Sequence, residues 1–379
     1  MPDFGAYQNE IYLAGLSGRL PSFPMRFDDL EAKAHKAMPA SLVSYVAGGC
    51  GDERTQEANV AAFDKWGLVP RMFVGAKQRD LSIELFGMRL PSPLFMSPIG
   101  VIGLCAQDGH GDLATARAAA LTGVPMVAST LTVDPLEAVA AEFKATPGFF
   151  QLYTPTDREL AASLVARAER AGFKAIVVTL DTWVTGWRPR DLSTANFPQL
   201  RGHCLANYFS DPRFAKLMGA PPEKDQRAAV TTWAAIFGNP LTWDDLPWLR
   251  SLTKLPLIMK GICHPDDARR AIDGGVDGIY CSNRRPPGER GRSGARYVAC
   301  GGEGGRQRSG DVRFRDSVRN PHHQGFGDGR DGRRGRSSLR LRAGAGRDRR
   351  DRPRVAVPAG RSRSLYGGRR ISDPRRPQA

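Results

Sequence analysis

Lysine is missing from the last quarter of this sequence. From residue 284 to the end there are 27 arginines, 9 acidic residues and no lysine, which gives that segment a net charge of +18. Because the whole chain carries +16, residues 1–283 carry a net charge of −2. The sequence pI of about 10.0 therefore comes from the last segment and says nothing about the partners of residues 1–283.

Cysteine motifs and long apolar runs are also missing. The six cysteines include no C-x-x-C pair, so their spacing predicts neither a zinc site nor a disulfide framework. No apolar run approaches the ~18 residues that span a bilayer, and the N-terminus lacks the basic and apolar segments of a signal peptide. These absences predict a soluble, cytoplasmic protein with no bound metal.

What the sequence does contain is an alternation of short apolar runs with alanine-rich amphipathic segments. Strands alternating with helices predict a parallel sheet covered on both faces. No G-x-G-x-x-G follows the first run, so the pattern favours a (β/α)8 TIM barrel over an open dinucleotide-binding sheet. Only six strands are predicted, which makes the barrel truncated after strand six. The predicted strands are 91–100, 124–130, 148–154, 174–182, 255–262 and 277–283.

Three other segments complete the predicted organisation. Residues 26–70 have the apolar spacing of helices. Residues 190–245 form an insertion after the fourth predicted strand and are a lid candidate. We expect residues 1–283 to be one incomplete barrel domain and residues 284–379 to be a disordered, arginine-rich tail.

Each predicted strand ends in polar residues, and in this fold the carboxyl ends of the strands form the catalytic face. The run LPLIMKGI places Lys260 inside an apolar strand, where a lysine is costly to bury unless it meets an anion. Such a set would suit a planar, hydrogen-bonding cofactor and a small anionic substrate. The strand-end residues are Ser97, Pro98, Ile99, Gly100, Ser129, Thr130, Gln151, Tyr153, Thr179, Asp181, Lys260, Ser282 and Asn283.

Several ordered motifs carry a resemblance to a known family. They are YVAGGCGDE, FFQLYT, VVTLDTWVTGWRPRD, NFPQLRGHCLANY and LPLIMKGICHPDDARRAIDGGVDGIYCSN. Together they resemble the FMN-dependent family that oxidises 2-hydroxy acids, and the long insertion is most similar to the lactate 2-monooxygenase branch. The resemblance covers nearly all of residues 1–283. It implies FMN as cofactor, a small 2-hydroxy acid and O2 as substrates, a homo-oligomer, and no membrane partner.

The resemblance also implies roles for individual residues. Asp181 would partner the catalytic histidine, and Lys260 would stabilise negative charge at the N1 and C2 carbonyl end of the flavin. The substrate would be held by Tyr45, Tyr153 and Arg188, with the arginine binding its carboxylate. The cofactor-binding set would be Pro98, Ile99, Gly100, Ser129, Gln151, Thr179, Lys260 and Ser282.

The family's catalytic histidine is missing from this chain. The family has Ser-Asn-His-Gly-Gly-Arg-Gln at the end of strand six, whereas here Asn283 is followed by Arg284. A guanidinium is always protonated and cannot act as a base. His264 lies beside a predicted helix cap and is a poor substitute. We therefore expect this chain, translated as written, to lack activity. We also expect it to lose stable folding, because without strands seven and eight the six strands leave two open edges.

A shift of reading frame accounts for the change after Asn283. The segment RRPPGERG can be encoded by codons that, read one base later, give Gly-Gly-Arg-Gln-Ala-Asn-Gly, which resembles the family sequence after its histidine. Two later segments can likewise be recoded to resemble strands seven and eight with their phosphate-binding loop. Two alternatives remain open: the arginine-rich tail binds nucleic acid, or the chain is a different FMN- or phosphate-binding TIM-barrel enzyme.

Overall fold

A five-stranded parallel sheet forms the centre of the structure, which is a computed structural model that describes residues 5–75 and 79–283. The strand order follows the sequence, from β3 to β7. A short antiparallel hairpin precedes this sheet in the chain. Hairpin strands are β1 (Ile83–Leu85) and β2 (Met88–Leu90); the parallel strands are β3 (Val127–Ala128), β4 (Phe149–Leu152), β5 (Ile176–Thr179), β6 (Leu257–Lys260) and β7 (Gly278–Tyr280).

The first predicted strand, 91–100, is wrong as an extended element. Only Met96 pairs, in a single parallel bridge with Met126. The run PSPLFMSP contains three prolines, which donate no backbone hydrogen bond and therefore interrupt a ladder. The other five predicted strands are confirmed as β3 to β7, although each is shorter than its apolar run.

Helices precede the parallel sheet and separate its strands, and proline and glycine mark several of their ends. The segment 26–70 is three helices and a 3₁₀ turn, with Pro39 before the second of these helices and Gly48 at its end. The helices are α1 (Ala6–Gly15), α2 (Phe27–Ala37), α3 (Ala40–Ala47), α4 (Arg54–Ala61), α5 (Gly111–Thr122), α6 (Leu136–Glu142), α7 (Arg158–Arg170), α8 (Pro189–Thr194), α9 (Ala206–Phe209), α10 (Pro212–Met218), α11 (Gln226–Ile236), α12 (Leu246–Ser251) and α13 (Pro265–Asp273).

Apolar side chains cover both faces of the parallel sheet. Neighbouring residues such as Ile176 and Val177 belong to different core clusters, because successive side chains of a strand point to opposite faces. The larger cluster includes the buried faces of α5, α6 and α7. Continuous apolar strands of this kind are typical of a parallel sheet buried between helices.

The predicted insertion, 190–245, is a helical segment with its own buried aromatic residues. Tyr208, Phe214 and Trp233 are almost completely buried, and the Tyr208 ring contacts each of the other two edge to face. The segment joins the main core through these rings. Its predicted role as a lid stays a prediction.

In the part of the chain that the structure describes, β3 and β7 are the two edges of the parallel sheet. The predicted disordered tail, 284–379, lies outside the described residues, and the domain boundary at residue 283 stays a prediction. No helix within 5–75 and 79–283 is long and apolar enough to cross a membrane.

Candidate active site

The strand-end residues of the parallel sheet meet at one edge. All five strands run in the same direction, so their carboxyl ends lie together. Gly100 lies within this group, because a Cβ added to it would be 3.6 Å from the Ser129 hydroxyl and 3.3 Å from Leu131. The backbone at Gly100 therefore closely approaches the end of β3, as a loop that lies along a flat ligand would require.

A hydrogen-bond network fixes the side chain of Gln151. Ser129 Oγ donates to Gln151 Oε1 at 3.0 Å, and the Thr130 N–H donates to the same oxygen at 3.4 Å. The Thr130 hydroxyl donates to the Gln151 backbone carbonyl oxygen at 2.6 Å. With its oxygen occupied in this way, the amide presents its nitrogen to the rest of the site. Gln151 Nε2 is buried and has no hydrogen-bond partner among the residues described.

Thr179, at the end of β5, has a second unsatisfied polar atom. Its Oγ1 is buried and lacks a hydrogen-bond partner within the described part of the chain. Thr179 pairs in register with Lys260 on the adjacent strand. Buried polar groups almost always have a partner, so an unpaired amide and an unpaired hydroxyl at one edge indicate a polar ligand.

Lys260 and Asp181 form an ion pair at the same edge. Lys260 Nζ lies 3.7 Å from Asp181 Oδ2, and both side chains are about nine-tenths buried. This contact gives the buried ammonium an anionic partner, and the predicted role of Lys260 in the site stays a prediction. Gly261 allows it, because φ there is +107° and a Cβ would lie 3.0 Å from the Asp181 Cβ.

The predicted substrate residues Tyr45 and Arg188 are packed together. The guanidinium lies 4.8 Å from the centre of the Tyr45 ring and donates to the carbonyl oxygens of Tyr45 and Gly48. Arg188 Nε is also 2.7 Å from Asp191 Oδ2. Asp191 is not among the predicted site residues, although its position three residues after Arg188, at a helix start, is the spacing of such a pair.

Two other aromatic and amide contacts border this region. The Tyr45 hydroxyl donates to Gln199 Oε1 at 3.4 Å. This contact places the 3₁₀ turn Pro198–Arg201 of the insertion against α3. The Tyr153 ring contacts Phe237 edge to face, with ring centres 5.3 Å apart. Gln199 was also missed, since nothing in its local sequence indicates a contact with residue 45.

The end of β7 is tied to the N-terminal helices. Asn283 and Asn59 exchange two amide hydrogen bonds of 2.9 and 3.0 Å. The position of Arg284, where the family has its base, lies outside the described residues. The His264 Nδ1 accepts from the Asp266 N–H at the start of α13. His264 is thus itself the N-cap of the helix whose cap the sequence predicts next to it.

The residues present fit a flat, polar cofactor. An unpaired amide nitrogen, an unpaired hydroxyl and a buried ammonium lie along one edge, and a backbone segment around Gly100 approaches them. These groups match a heteroaromatic ring that both accepts and donates hydrogen bonds. No group of three potential metal ligands occurs within 5–75 and 79–283.

Fold and site together define an α/β enzyme that binds a planar cofactor at the carboxyl ends of parallel strands. Residues 34–285 match the family described as FMN-dependent dehydrogenase. The chain belongs to this family, so FMN is its cofactor and the α/β TIM barrel is the fold to which its parallel sheet belongs.

Individual relatives agree with this family. The chain is 38% identical over 286 residues to the FMN-dependent alpha-hydroxy acid dehydrogenase qulF of Penicillium citrinum, covering 74% of this chain and 71% of that protein. It is 37% identical over 274 residues to an L-lactate oxidase of Lysinibacillus sphaericus, covering 72% and 70%. FMN-dependent oxidation of 2-hydroxy acids is therefore the chemistry of its relatives.

Solved structures show the same likeness. A soluble mutant of the membrane-associated (S)-mandelate dehydrogenase of Pseudomonas putida aligns with a TM-score of 0.57 at 32% identity, over 66% of this chain and 68% of that one. A lactate oxidase structure from Pediococcus acidilactici aligns with a TM-score of 0.59, over 69% of this chain and 66% of that one. The chain thus spans only about two thirds of that structure's length.

Proposed function

We propose that this chain is a lactate 2-monooxygenase-type member of its family, built to oxidise a small L-2-hydroxy acid with FMN and O2. The main support for a cofactor site is that Gln151 Nε2 and Thr179 Oγ1 are buried and have no hydrogen-bond partner among the described residues. They lie at the same edge as the Lys260–Asp181 ion pair. The activity, substrate and residue roles are all parts of this proposal.

FMN would supply a two-electron acceptor at this edge. Gln151 and Thr179 would hydrogen-bond its ring, with Ser129 holding the Gln151 amide in orientation. Lys260 would place its ammonium where the reduced ring carries negative charge, which a fixed cation stabilises. The remaining contacts would come from the backbone at Pro98, Ile99 and Gly100 and from Ser282.

Substrate binding would use the cluster around Arg188. The carbonyls of Tyr45 and Gly48 and the Asp191 carboxylate hold the guanidinium in place. A substrate carboxylate would bind the Nη1 group of that guanidinium, because Nη2 and Nε already face the two carbonyls and Asp191. Tyr45 and Tyr153 would contact the remainder of a small substrate.

The proton-accepting group is the part that this chain lacks. With Arg284 at the family's histidine position, no group there accepts the hydroxyl proton, and Asp181 faces Lys260 instead. The family match ends at residue 285, two residues after Asn283. We propose that a frameshift after Asn283 removed the base, and that the chain as written has no turnover.

Other parts of the proposal come from the family resemblance. A homo-oligomer in the cytoplasm is proposed, although named relatives include peroxisomal 2-hydroxy-acid oxidases of rice. The nucleic-acid alternative depends on residues 284–379, which lie outside the described part of the chain. No described residue favours it.

The proposed function is tested with two chains, one as written and one with the reading frame restored after Asn283. The restored chain should consume O2 with L-lactate and form acetate, whereas an oxidase would form pyruvate and hydrogen peroxide. The chain as written should consume none. Turnover by the chain as written would contradict the role of the missing base.

The cofactor site is tested separately by FMN titration of the restored chain. Gln151→Leu and Thr179→Val each remove a group proposed to bond the ring, and each should weaken binding by about 5- to 30-fold, at about 1–2 kcal/mol per bond. Thr231→Val, on the exposed face of α11, is the control and should bind FMN normally. Unchanged affinity in both site variants would place FMN elsewhere.

A further inference from the structure

Two cysteines from adjacent strands lie side by side at the carboxyl edge of the sheet. Cys281 directly follows β7, and Cys263 lies just beyond the end of β6. The Cys263 thiol donates at 2.9 Å to the carbonyl oxygen of Ser282, the residue next to Cys281, and the nearby Cys281 thiol raises the pKa of Cys263. Sequence spacing gives no sign of this pair, because pairing of β6 with β7 brings the two together.

The backbone between the strands holds the two sulfurs close. Lys260 pairs in register with Tyr280, and the Gly261 N–H donates to the Tyr280 carbonyl at 3.1 Å. Gly261 then turns the chain, with φ of +107°. Cys263 is exposed, Cys281 is half-buried, and both are reduced. The Cys263 thiol is thus accessible to a small reagent, and the Cys281 thiol lies next to it on the adjacent strand.

We propose that Cys263 and Cys281 are a redox-active pair that closes to an intramolecular disulfide when a hydroperoxide is the oxidant. With hydrogen peroxide, one sulfur attacks the O–O bond, forms a sulfenic acid and releases water. The second thiol then displaces the sulfenic oxygen as another water while the S–S bond forms. The sulfurs lose two electrons, the peroxide gains them, and both thiol protons leave in the two waters.

The surroundings of the two thiols determine how fast a hydroperoxide oxidises them. The hydrogen bond to Cys281, together with burial, raises the pKa of the Cys263 thiol. Because the thiolate is the nucleophile, the reaction is slow at neutral pH and accelerates as the pH rises. The resulting bond would join the ends of β6 and β7 beside Gly261, which packs against Asp181. This inference does not depend on turnover or on bound FMN.

The test is disulfide mapping of the folded full-length chain after treatment with hydrogen peroxide. Trypsin separates the two cysteines into peptides 261–269 and 271–284. Under non-reducing conditions these two peptides should be joined as the main cross-link, and dithiothreitol should release them. The yield at a fixed time should rise with pH.

Variants and a denatured control keep the result interpretable. Cys263→Ser and Cys281→Ser should each abolish the link, whereas Cys50→Ser should retain it. In concentrated guanidinium the cross-links should spread over several cysteines. Reduced thiols after prolonged treatment, over-oxidation of Cys263 without a link, or the same scrambled pattern in the native chain would each overturn the proposal.

Discussion

Asp112, in the first turn of α5, is a buried carboxylate whose ionisation opposes folding. Its side chain is completely buried. Burial raises its pKa from 3.8 to about 6, although the Val133 N–H donates to the carboxylate at 2.9 Å and partly opposes the rise. The folded state therefore binds this proton more tightly than the unfolded state does. Its contribution to stability is full below about pH 4 and is lost as the pH rises through about 6.

We predict that Asp112→Asn stabilises the protein at neutral pH. Asparagine is uncharged and keeps an oxygen for the Val133 N–H, so the unfolding free energy at pH 7 should rise by up to about 3 kcal/mol. The gain should disappear near pH 4. Urea unfolding followed by tryptophan fluorescence measures both values, with the exposed Asp52→Asn as control. An equal gain at pH 4 and 7 would show that ionisation is not the cause.

Individual residues differ in how far the sequence reveals them. Lys260 could be predicted, because a lysine within an apolar strand needs an anionic partner wherever the chain folds. The raised pKa of Asp112 could not, since it comes mainly from burial of the carboxylate, which only the tertiary packing around α5 produces. The Cys263–Cys281 contact likewise arises only from strand pairing. Local pattern reveals what a residue requires, and the tertiary fold decides which residue supplies it.

At the scale of elements, Arg167 of α7 joins three helices through one buried network. Its guanidinium pairs with Glu137 of α6 at 2.8 Å and with Asp211, at the start of α10, at 3.1 Å. It also donates to the Asn207 carbonyl of α9 at 2.7 Å. The Asp211 side chain is fully buried. This arginine therefore fixes the insertion against the helices that cover the sheet.

We predict that Arg167→Met is strongly destabilising. The change leaves the buried Asp211 carboxylate without its cation, which costs about 3–5 kcal/mol. Arg170→Met, on the exposed side of the same helix, should change stability by less than about 0.5 kcal/mol. Adding Asp211→Asn to Arg167→Met should recover part of the loss. Urea denaturation of the four proteins measures this, and a loss below about 1 kcal/mol would contradict it.

The secondary structure was more predictable than the connections between elements. Five apolar runs became strands β3 to β7 because their Val, Ile and Leu content suits a sheet buried on both faces. The run 91–100 also contains apolar residues, but its prolines prevent a ladder and leave one bridge. The contacts of the insertion, such as Gln199 with Tyr45, could not be predicted because they join residues 154 positions apart.

For the whole molecule, charge is divided sharply along the chain. Residues 1–283 carry −2, and the residues after them carry +18. We predict that the full chain is retained by immobilised DNA or heparin at low salt and elutes as salt rises, because polyanion binding is electrostatic. A chain ending at Asn283 should not be retained. Retention that resists high salt or depends on DNA sequence would favour the nucleic-acid alternative instead.

Stability of the whole protein should depend on the sequence of the segment after Asn283. In the described part of the chain the sheet ends at β3 and β7, and such edges lack the pairing that barrel closure provides. The family resemblance assigns two further strands and the phosphate-binding loop to the restored frame. We therefore predict that the restored chain unfolds at a higher temperature than the chain as written.

Added FMN distinguishes a better-closed barrel from a merely longer chain. A ligand that binds only the folded state stabilises it by RT ln(1 + [L]/Kd), about 2.7 kcal/mol at a ligand concentration of 100 Kd. If the restored segment supplies the phosphate-binding loop, saturating FMN should raise the melting temperature of the restored chain by several degrees. The melting temperature of the chain as written should rise by much less. Riboflavin lacks the phosphate, so it should raise the melting temperature of both chains by the same small amount. Equal shifts with FMN in both chains would mean that residues 1–283 already contain the whole cofactor site.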